Sequence, residues 1–281
     1  MPLACSDLGL RRNVPLGPLT TMKVGGPAAF FAEPRTLDEL AAATSLGVPI
    51  RVLGAGADLL VNDGGVPDLV VRLTRMHARR GLYVEAGANL PNLVKETVAE
   101  GLGGLECLAG VPATVGGAVA MNAGGRHGEI GDAVRFVDVL EDGRIRRLSH
   151  DEVGFRYRGT ALADRIVVGV EFDLRPDPAA RARYEEILAA KKATQPLGCS
   201  NSGCMFRNPP GLSAGRLIDE AGLKGAGVGG ARVSRKHANF FVNDGIATAS
   251  DVFRLIDLVR DQVRRRTGIE LELEVVVWGK P

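Results

Sequence analysis

The segment from Gly103 to Gly125, GGLECLAGVPATVGGAVAMNAGG, constrains this chain more than any other stretch. Seven of its 23 residues are Gly, yet it does not read as a linker. Flexible linkers join Gly to Ser and charge. Here Gly is joined to Leu, Val, Ala and Met, and Glu106 is the sole charged residue. The apolar residues call for burial, whereas clustered Gly makes poor helix or strand because ordering it costs the most backbone entropy. A buried backbone pressed against something large, with its N–H groups turned toward that object, satisfies both demands. A diphosphate-bearing ligand fits, since Gly lets the main chain approach and present amide donors.

At 281 residues the chain can bury a sizeable core and is expected to hold two domains. Its 35 Lys and Arg stand against 33 Asp and Glu, a formal net charge of +2. That balance argues against nucleic acid as a partner. The short Arg264–Arg266 cluster suits a helix C-terminus, where cations answer the macrodipole. No apolar run approaches the ~20 residues of a membrane helix, and no signal-peptide core is seen near the N-terminus. Four cysteines (5, 107, 199 and 204) are too few for a disulfide scaffold, and the four His are scattered, so no metal site is expected. A cytoplasmic protein is the expectation.

Local signals order the rest. Thr36-Leu37-Asp38-Glu39 is a capping box that opens a helix, and strands are expected at Pro49–Leu53, Asp68–Leu73 and Leu82–Ala86. Asn89 caps a helix over Leu90–Glu100, with Pro91 in its first turn. Asp142-Gly143 joins Ala133–Leu140 to Arg144–Leu148 as a hairpin. Ile166–Leu174 reads as a buried strand, and the Pro-rich Arg175–Pro178 as a domain boundary. Helices follow over Ala180–Ala193, Ser213–Ala221 and Ser250–Arg266, the last with Val252, Phe253, Ile256, Val259 and Val263 on one stripe. A strand over Glu270–Trp278 closes the chain. Strands and helices mix without a βαβ repeat, which argues α+β.

Several residues admit a chemical and a structural reading side by side. Gly54-Ala55-Gly56 follows a strand but lacks the third Gly of a dinucleotide fingerprint, so it is either a ligand loop or an ordinary turn. Cys204, in NSGCMFRNPP, is either a small buried hydrophobe or a thiol able to donate a proton from an irregular loop. Phe155-Arg156-Tyr157-Arg158, if extended, sets two guanidinium groups on one face, solvated or gripping an anion. Period 2 along the last strand places Glu274 beside Val276 and Trp278, a setting that raises a carboxyl pKa.

In their order and spacing these motifs resemble the UDP-N-acetylenolpyruvoylglucosamine reductase (UDP-N-acetylmuramate dehydrogenase) family. The likeness runs from Thr20–Gly26 through Val52–Leu60, the glycine run, Phe155–Arg158, Gly203–Pro209 and Ser234–Asn243 to Leu271–Gly279. It implies an α+β fold with a two-part FAD-binding region of the p-cresol methylhydroxylase type and a C-terminal α+β substrate domain. The implied division is 1–177 for FAD, split near 74, then 178–268 for substrate, with 269–281 returning to the FAD region.

The resemblance also implies chemistry. Non-covalent FAD, reduced by NADPH as co-substrate, would give hydride to an enolpyruvyl UDP-sugar in peptidoglycan precursor synthesis, with the protein a monomer. It assigns Cys204 as proton donor, where the family more typically has Ser, and Arg158 and Glu274 as stabilisers of the enolate-like intermediate. FAD contacts are implied for Gly54, Ala55, Gly56, Ala57, Asp58 and Leu59. A second set comprises Gly110, Val111, Pro112, Ala113, Thr114, Val115, Gly117, Ala118, Asn122, Ala123, Gly124 and Ile130. Substrate contacts are implied for Arg207, Asn208, His237 and Asn239. From Arg158 the chain reaches Arg175 in only 17 residues, which leaves no room for the Tyr-bearing insertion of some members. The chain resembles the shorter class.

Overall fold

Local capping signals become real helix starts. In the computed structural model, which describes residues 9–162 and 165–279, the Thr36 side chain accepts from Glu39 N–H and opens the Leu37–Thr44 helix. Asn89 does the same for Leu90–Ala99 through Asn92 N–H. Asp142 and Gly143, both at positive φ, connect Val134–Glu141 to Arg144–Ser149 as a tight hairpin. Cys5 lies outside the described residues.

By its contacts the chain divides into two units that interleave along the sequence. The first is Met1–Arg12, Phe30–Ala55 and Asp68–Ala190; the second is Asn13–Ala29, Gly56–Pro67 and Lys191–Pro281. This differs from the contiguous division expected from sequence. The Pro-rich Arg175–Pro178 segment pairs antiparallel with Leu102–Gly103 rather than acting as a linker, and the chain changes unit inside the Ala180–Thr194 helix. Proline at position 176 cannot donate, but an edge pairing of two residues tolerates it.

In the first unit, Ile50–Leu53 runs parallel to Val66–Arg72. A five-stranded sheet has the order Arg144–Ser149, Val134–Glu141, Ile166–Phe172, Tyr83–Glu85, Arg79–Arg80. Its core joins Val137, Val139 and Val170 to Leu90 and Val94 of one helix and Val115 and Val119 of another.

The glycine run is less irregular than its composition suggests. It holds a one-turn helix at Glu106–Leu108, and Thr114 caps a six-residue helix at Val115–Ala120. Position 116 is Gly because that helix lies against the end of the Tyr83–Glu85 strand: a Cβ there would sit 2.7 Å from the Ala86 Cβ. Part of the close approach inferred from sequence is therefore protein on protein.

The run's sole charge has a partner. Glu106, 7% exposed, accepts from Gly104 N–H at 2.6 Å and from Arg183 Nε and Nη2 at 2.9 and 2.5 Å. Burial raises its pKa, but the Arg183 and backbone hydrogen bonds outweigh that and hold it below the ordinary 4.5. The pair thus contributes fully above the unfolded pKa and is lost as pH falls through the lower folded value. Glu106→Gln is expected to cost about 1.5–3 kcal/mol at neutral pH, with the gap to the native chain closing as pH falls below 4.5. Thermal melts of both proteins across that range check this; a constant gap would contradict it.

The second unit packs Leu217 and Ile218 against the Ala249–Thr267 helix and the antiparallel strands Ala231–Val233 and Phe240–Asn243. Thr248 and Asp251 form a reciprocal capping box at the start of that helix, and the Asp63 carboxylate accepts from Ala249 and Ser250 N–H. Leu255, rather than Phe253, completes its buried stripe. The terminal strand is shorter than expected. The strand itself is only Val276–Trp278, parallel to Leu59–Val61, and Leu273 adds an isolated bridge.

Candidate functional site

Cys204 owes its position to an irregular strand. Ser200–Cys204 pairs with Phe240–Asn243, but the register slips between Asn201 and Cys204. Asn201 Oδ1 accepts from Gly203 N–H at 3.0 Å, and Gly203 takes φ +75°, which favours Gly. The extra residue re-aims the side chains that follow, a common use of bulges beside functional groups. Cys204 is half-buried at the end of this strand, opposite Phe240.

The next three residues bring Glu274 alongside. Phe206 bridges antiparallel to Leu273; Arg207 N–H donates to the Glu272 carbonyl, and Glu274 N–H donates to the Met205 carbonyl, both at 2.9 Å. Backbone hydrogen bonds within the second unit therefore set the Cys204 and Glu274 segments in register. The period-2 argument for Glu274 fails, however. Val275 is buried and Val276 is 40% exposed, so the face that Glu274 shares with Val276 points outward there, and of the two apolar neighbours only Trp278 is buried. Glu274 itself is half-buried.

Arg158, in the first unit, does not lie on an extended segment. Arg156 and Gly159 exchange backbone hydrogen bonds around a tight turn, with Arg158 at φ +54°. Two guanidinium groups on one strand face are thus not what the structure presents. Such backbone strain in a non-Gly residue clusters at functional positions. Arg158 Nη2 donates to the Gly124 carbonyl at 3.0 Å, and Glu129 lies 3.8 Å from its guanidinium.

Among residues expected to touch cofactor or substrate, several have side chains committed elsewhere. Asn122 Nδ2 donates to Glu129 at 2.5 Å and to the Arg156 carbonyl at 3.1 Å, while Oδ1 accepts from Gly131 N–H. Its side chain braces the Arg158 turn. Val115, Ala118 and Ile130 are core residues, each at most 1% exposed. Asn239 is 2% exposed and spends its amide on Phe206. Asn208 Oδ1 accepts from Ala214 N–H. Burial, with Lys224 adding repulsion, pushes the His237 imidazole below its ordinary value, so it is neutral at pH 7.

The Gly54 and Gly110–Val115 loops do converge. A Cβ at Gly54 would lie 2.4 Å from Thr114 Oγ1, so only Gly allows the two to meet. Around that contact stand Ala55, Val111, Pro112 and Ala113, small or apolar and uncharged. Such a lining, with main-chain groups as its polar component, suits a flat cofactor carrying a diphosphate. A cavity of about 540 Å³ in the second unit is lined by Lys192, Gln195, Cys199, Ser234, Arg235 and Lys236. Arg235 and Lys236 are adjacent in the chain, and Lys192 joins them only on folding.

Residues 28–149 match the family model for an FAD binding domain, and residues 195–278 match that for the C-terminal domain of UDP-N-acetylenolpyruvoylglucosamine reductase. The reductase of that name from Moorella thermoacetica is 48% identical over 280 residues, covering 95% of this chain and 93% of its own. This chain belongs to the UDP-N-acetylenolpyruvoylglucosamine reductase family. The reductase of Heliobacterium modesticaldum is 47% identical over 94% of this chain and 89% of its own. The crystal structure of the Thermus caldophilus reductase superposes with a TM-score of 0.88 at 43% identity, over 96% of this chain and all of that one. The expected α+β fold, with a two-part FAD-binding region and a C-terminal α+β domain, is thus the family's own.

Proposed function

We propose that this chain reduces UDP-N-acetylglucosamine-enolpyruvate to UDP-N-acetylmuramate with NADPH as the hydride source, and that Arg158, Cys204 and Glu274 carry the protein's part. The chain is an FAD-dependent oxidoreductase of peptidoglycan precursor synthesis. The observation that carries the assignment of roles is the backbone register that sets Glu274 beside the residues following Cys204.

Gly54–Leu59 and Gly110–Val115, with Gly117, Ala123 and Gly124, would hold FAD. When bound, that group supplies the hydride that adds to C3 of the enolpyruvyl double bond. Cys204 then gives the Sγ proton to C2, and the two hydrogens complete the lactyl ether. An ordinary thiol, with pKa near 8.5, is mostly protonated at neutral pH and so is a competent acid. Arg158 pairs with the substrate carboxylate, where negative charge gathers as hydride arrives, and Glu274 helps fix the intermediate. Neutral His237 and the Arg207 guanidinium offer further donors to the substrate. The Lys192, Arg235 and Lys236 cavity suits an anionic ligand such as a sugar nucleotide. No described helix is long and apolar enough to cross a membrane; a cytoplasmic monomer without a nucleic-acid partner completes the reading.

The test is spectroscopic. The purified protein should be yellow, lose its flavin absorbance on anaerobic addition of NADPH, and regain it on addition of the enolpyruvyl UDP-sugar. Bleaching that this substrate fails to reverse would sink the assignment.

A further inference from the structure

We propose that Asn239 is a positioning residue for the reaction: its buried side chain fixes the segment that sets Cys204 and Glu274 relative to one another. The proposal rests on the roles given above to those two residues.

The argument is one of hydrogen-bond direction. In an antiparallel pairing the residues of a strand point their N–H and C=O groups alternately toward one neighbour and the other. Across from Leu273, Phe206 forms the bridge in which its flanking residues, Met205 and Arg207, bond to Glu274 and Glu272. The N–H and C=O of Phe206 therefore face away from the Glu272–Glu274 segment. On that side the regular partner, Phe240–Asn243, has already ended opposite Cys204.

Asn239 takes its place. Its Oδ1 accepts from Phe206 N–H at 2.9 Å and its Nδ2 donates to the Phe206 carbonyl at 2.7 Å. Its own carbonyl accepts from Met205 N–H at 2.7 Å. One amide side chain thus substitutes for one residue of a missing strand. Asn is the residue type for this, because it offers a donor and an acceptor in one plane, as a peptide does.

Phe206 is fully buried, so no water would satisfy its peptide groups in Asn239's absence. Removing the amide leaves a buried donor and acceptor unmet on the residue two after Cys204. The segment would shift to find partners, carrying the bonds to Glu272 and Glu274 with it. Misplacement by about 1 Å costs on the order of 10²-fold in rate when it falls on reacting groups.

The holoenzyme separates this from general weakening of the fold. In Asn239→Ala, flavin reduction by NADPH is expected to stay within about twofold of the native rate, while reoxidation by the enolpyruvyl UDP-sugar slows ~10²-fold. A second readout does not depend on turnover. Peptides spanning Met205–Arg207 and Glu272–Glu274 should exchange amide hydrogen faster in the variant, with the Ala249–Thr267 helix unchanged. Should the Ala variant fail to fold, Asn239→Asp keeps the bond from Phe206 N–H at nearly the same volume. It should show the same bias toward the reoxidation half-reaction, at a smaller loss. Equal loss in both half-reactions, or native exchange at both peptides, would overturn the proposal. Native reoxidation in Asn239→Ala beside slow reoxidation in Cys204→Ala would overturn the positioning role alone. Native reoxidation in Cys204→Ala would overturn the proton-donor reading and this proposal together.

Discussion

Cys204→Ala is expected to slow reoxidation of the reduced flavin by the enolpyruvyl UDP-sugar by ~10²–10⁴-fold, the span typical for losing a positioned acid. Reduction by NADPH should be unaffected, because hydride delivery to the flavin needs no proton from this residue. Cys204→Ser should restore turnover, since a hydroxyl in the same place can pass the proton, although as a weaker acid. The contrast between Ala and Ser is what distinguishes chemistry from packing. A buried thiol serving only as a small hydrophobe would be replaced as well by Ala as by Ser, or better. Stopped-flow measurement of the two half-reactions reads this directly. An Ala variant with unimpaired reoxidation would return Cys204 to the role of filler.

The second large effect is expected at Arg158. Arg158→Lys keeps the charge but loses the planar fork that can grip a carboxylate through two parallel hydrogen bonds. It also loses the bond from Nη2 to the Gly124 carbonyl that orients the side chain. Reoxidation should fall by about 10²–10³-fold, the scale of losing one donor aimed at developing charge. Flavin content and the rate of reduction by NADPH should hold. A Lys variant that reoxidises at the native rate would show that a point charge suffices, and would remove the bidentate role. The turn itself explains why the position is sensitive. Arg158 sits at positive φ between Arg156 and Gly159, held there by the bonds those two residues exchange and by Asn122 on the Arg156 carbonyl.

The contrast between what could and could not be read from the chain follows from the range of the forces involved. Helix starts at Thr36 and Asn89, and the Asp142-Gly143 hairpin, depend on contacts within four residues, so the local sequence contains their whole cause. The Phe155–Arg158 alternation was local too, but it was ambiguous. The same four residues form a strand or a turn according to what pairs with Arg156, and Gly159 does. Glu274 shows the same limit in another form. Period 2 says which residues share a face but not which face is buried, and at the bend Val275 is buried while Val276 is 40% exposed. Neither the bend nor the Phe206–Leu273 bridge leaves a mark on the residues themselves.

Asn239 marks the boundary well. The family resemblance implies that Asn239, within Ser234–Asn243, contacts substrate, yet its amide is turned inward on a residue 33 positions away. The chain alone carries the family, the α+β fold, the need for a diphosphate-bearing ligand at the glycine run, and the three residues proposed for the chemistry. These rest on residue types and their order, which are properties of the chain. Folding alone shows that some glycines, Gly54 and Gly116 among them, make room for neighbouring protein, and that Asn122 and Asn239 brace the Arg158 and Cys204 segments. Hydrogen-bond direction and close packing are relations between distant segments, and they exist only once those segments have met.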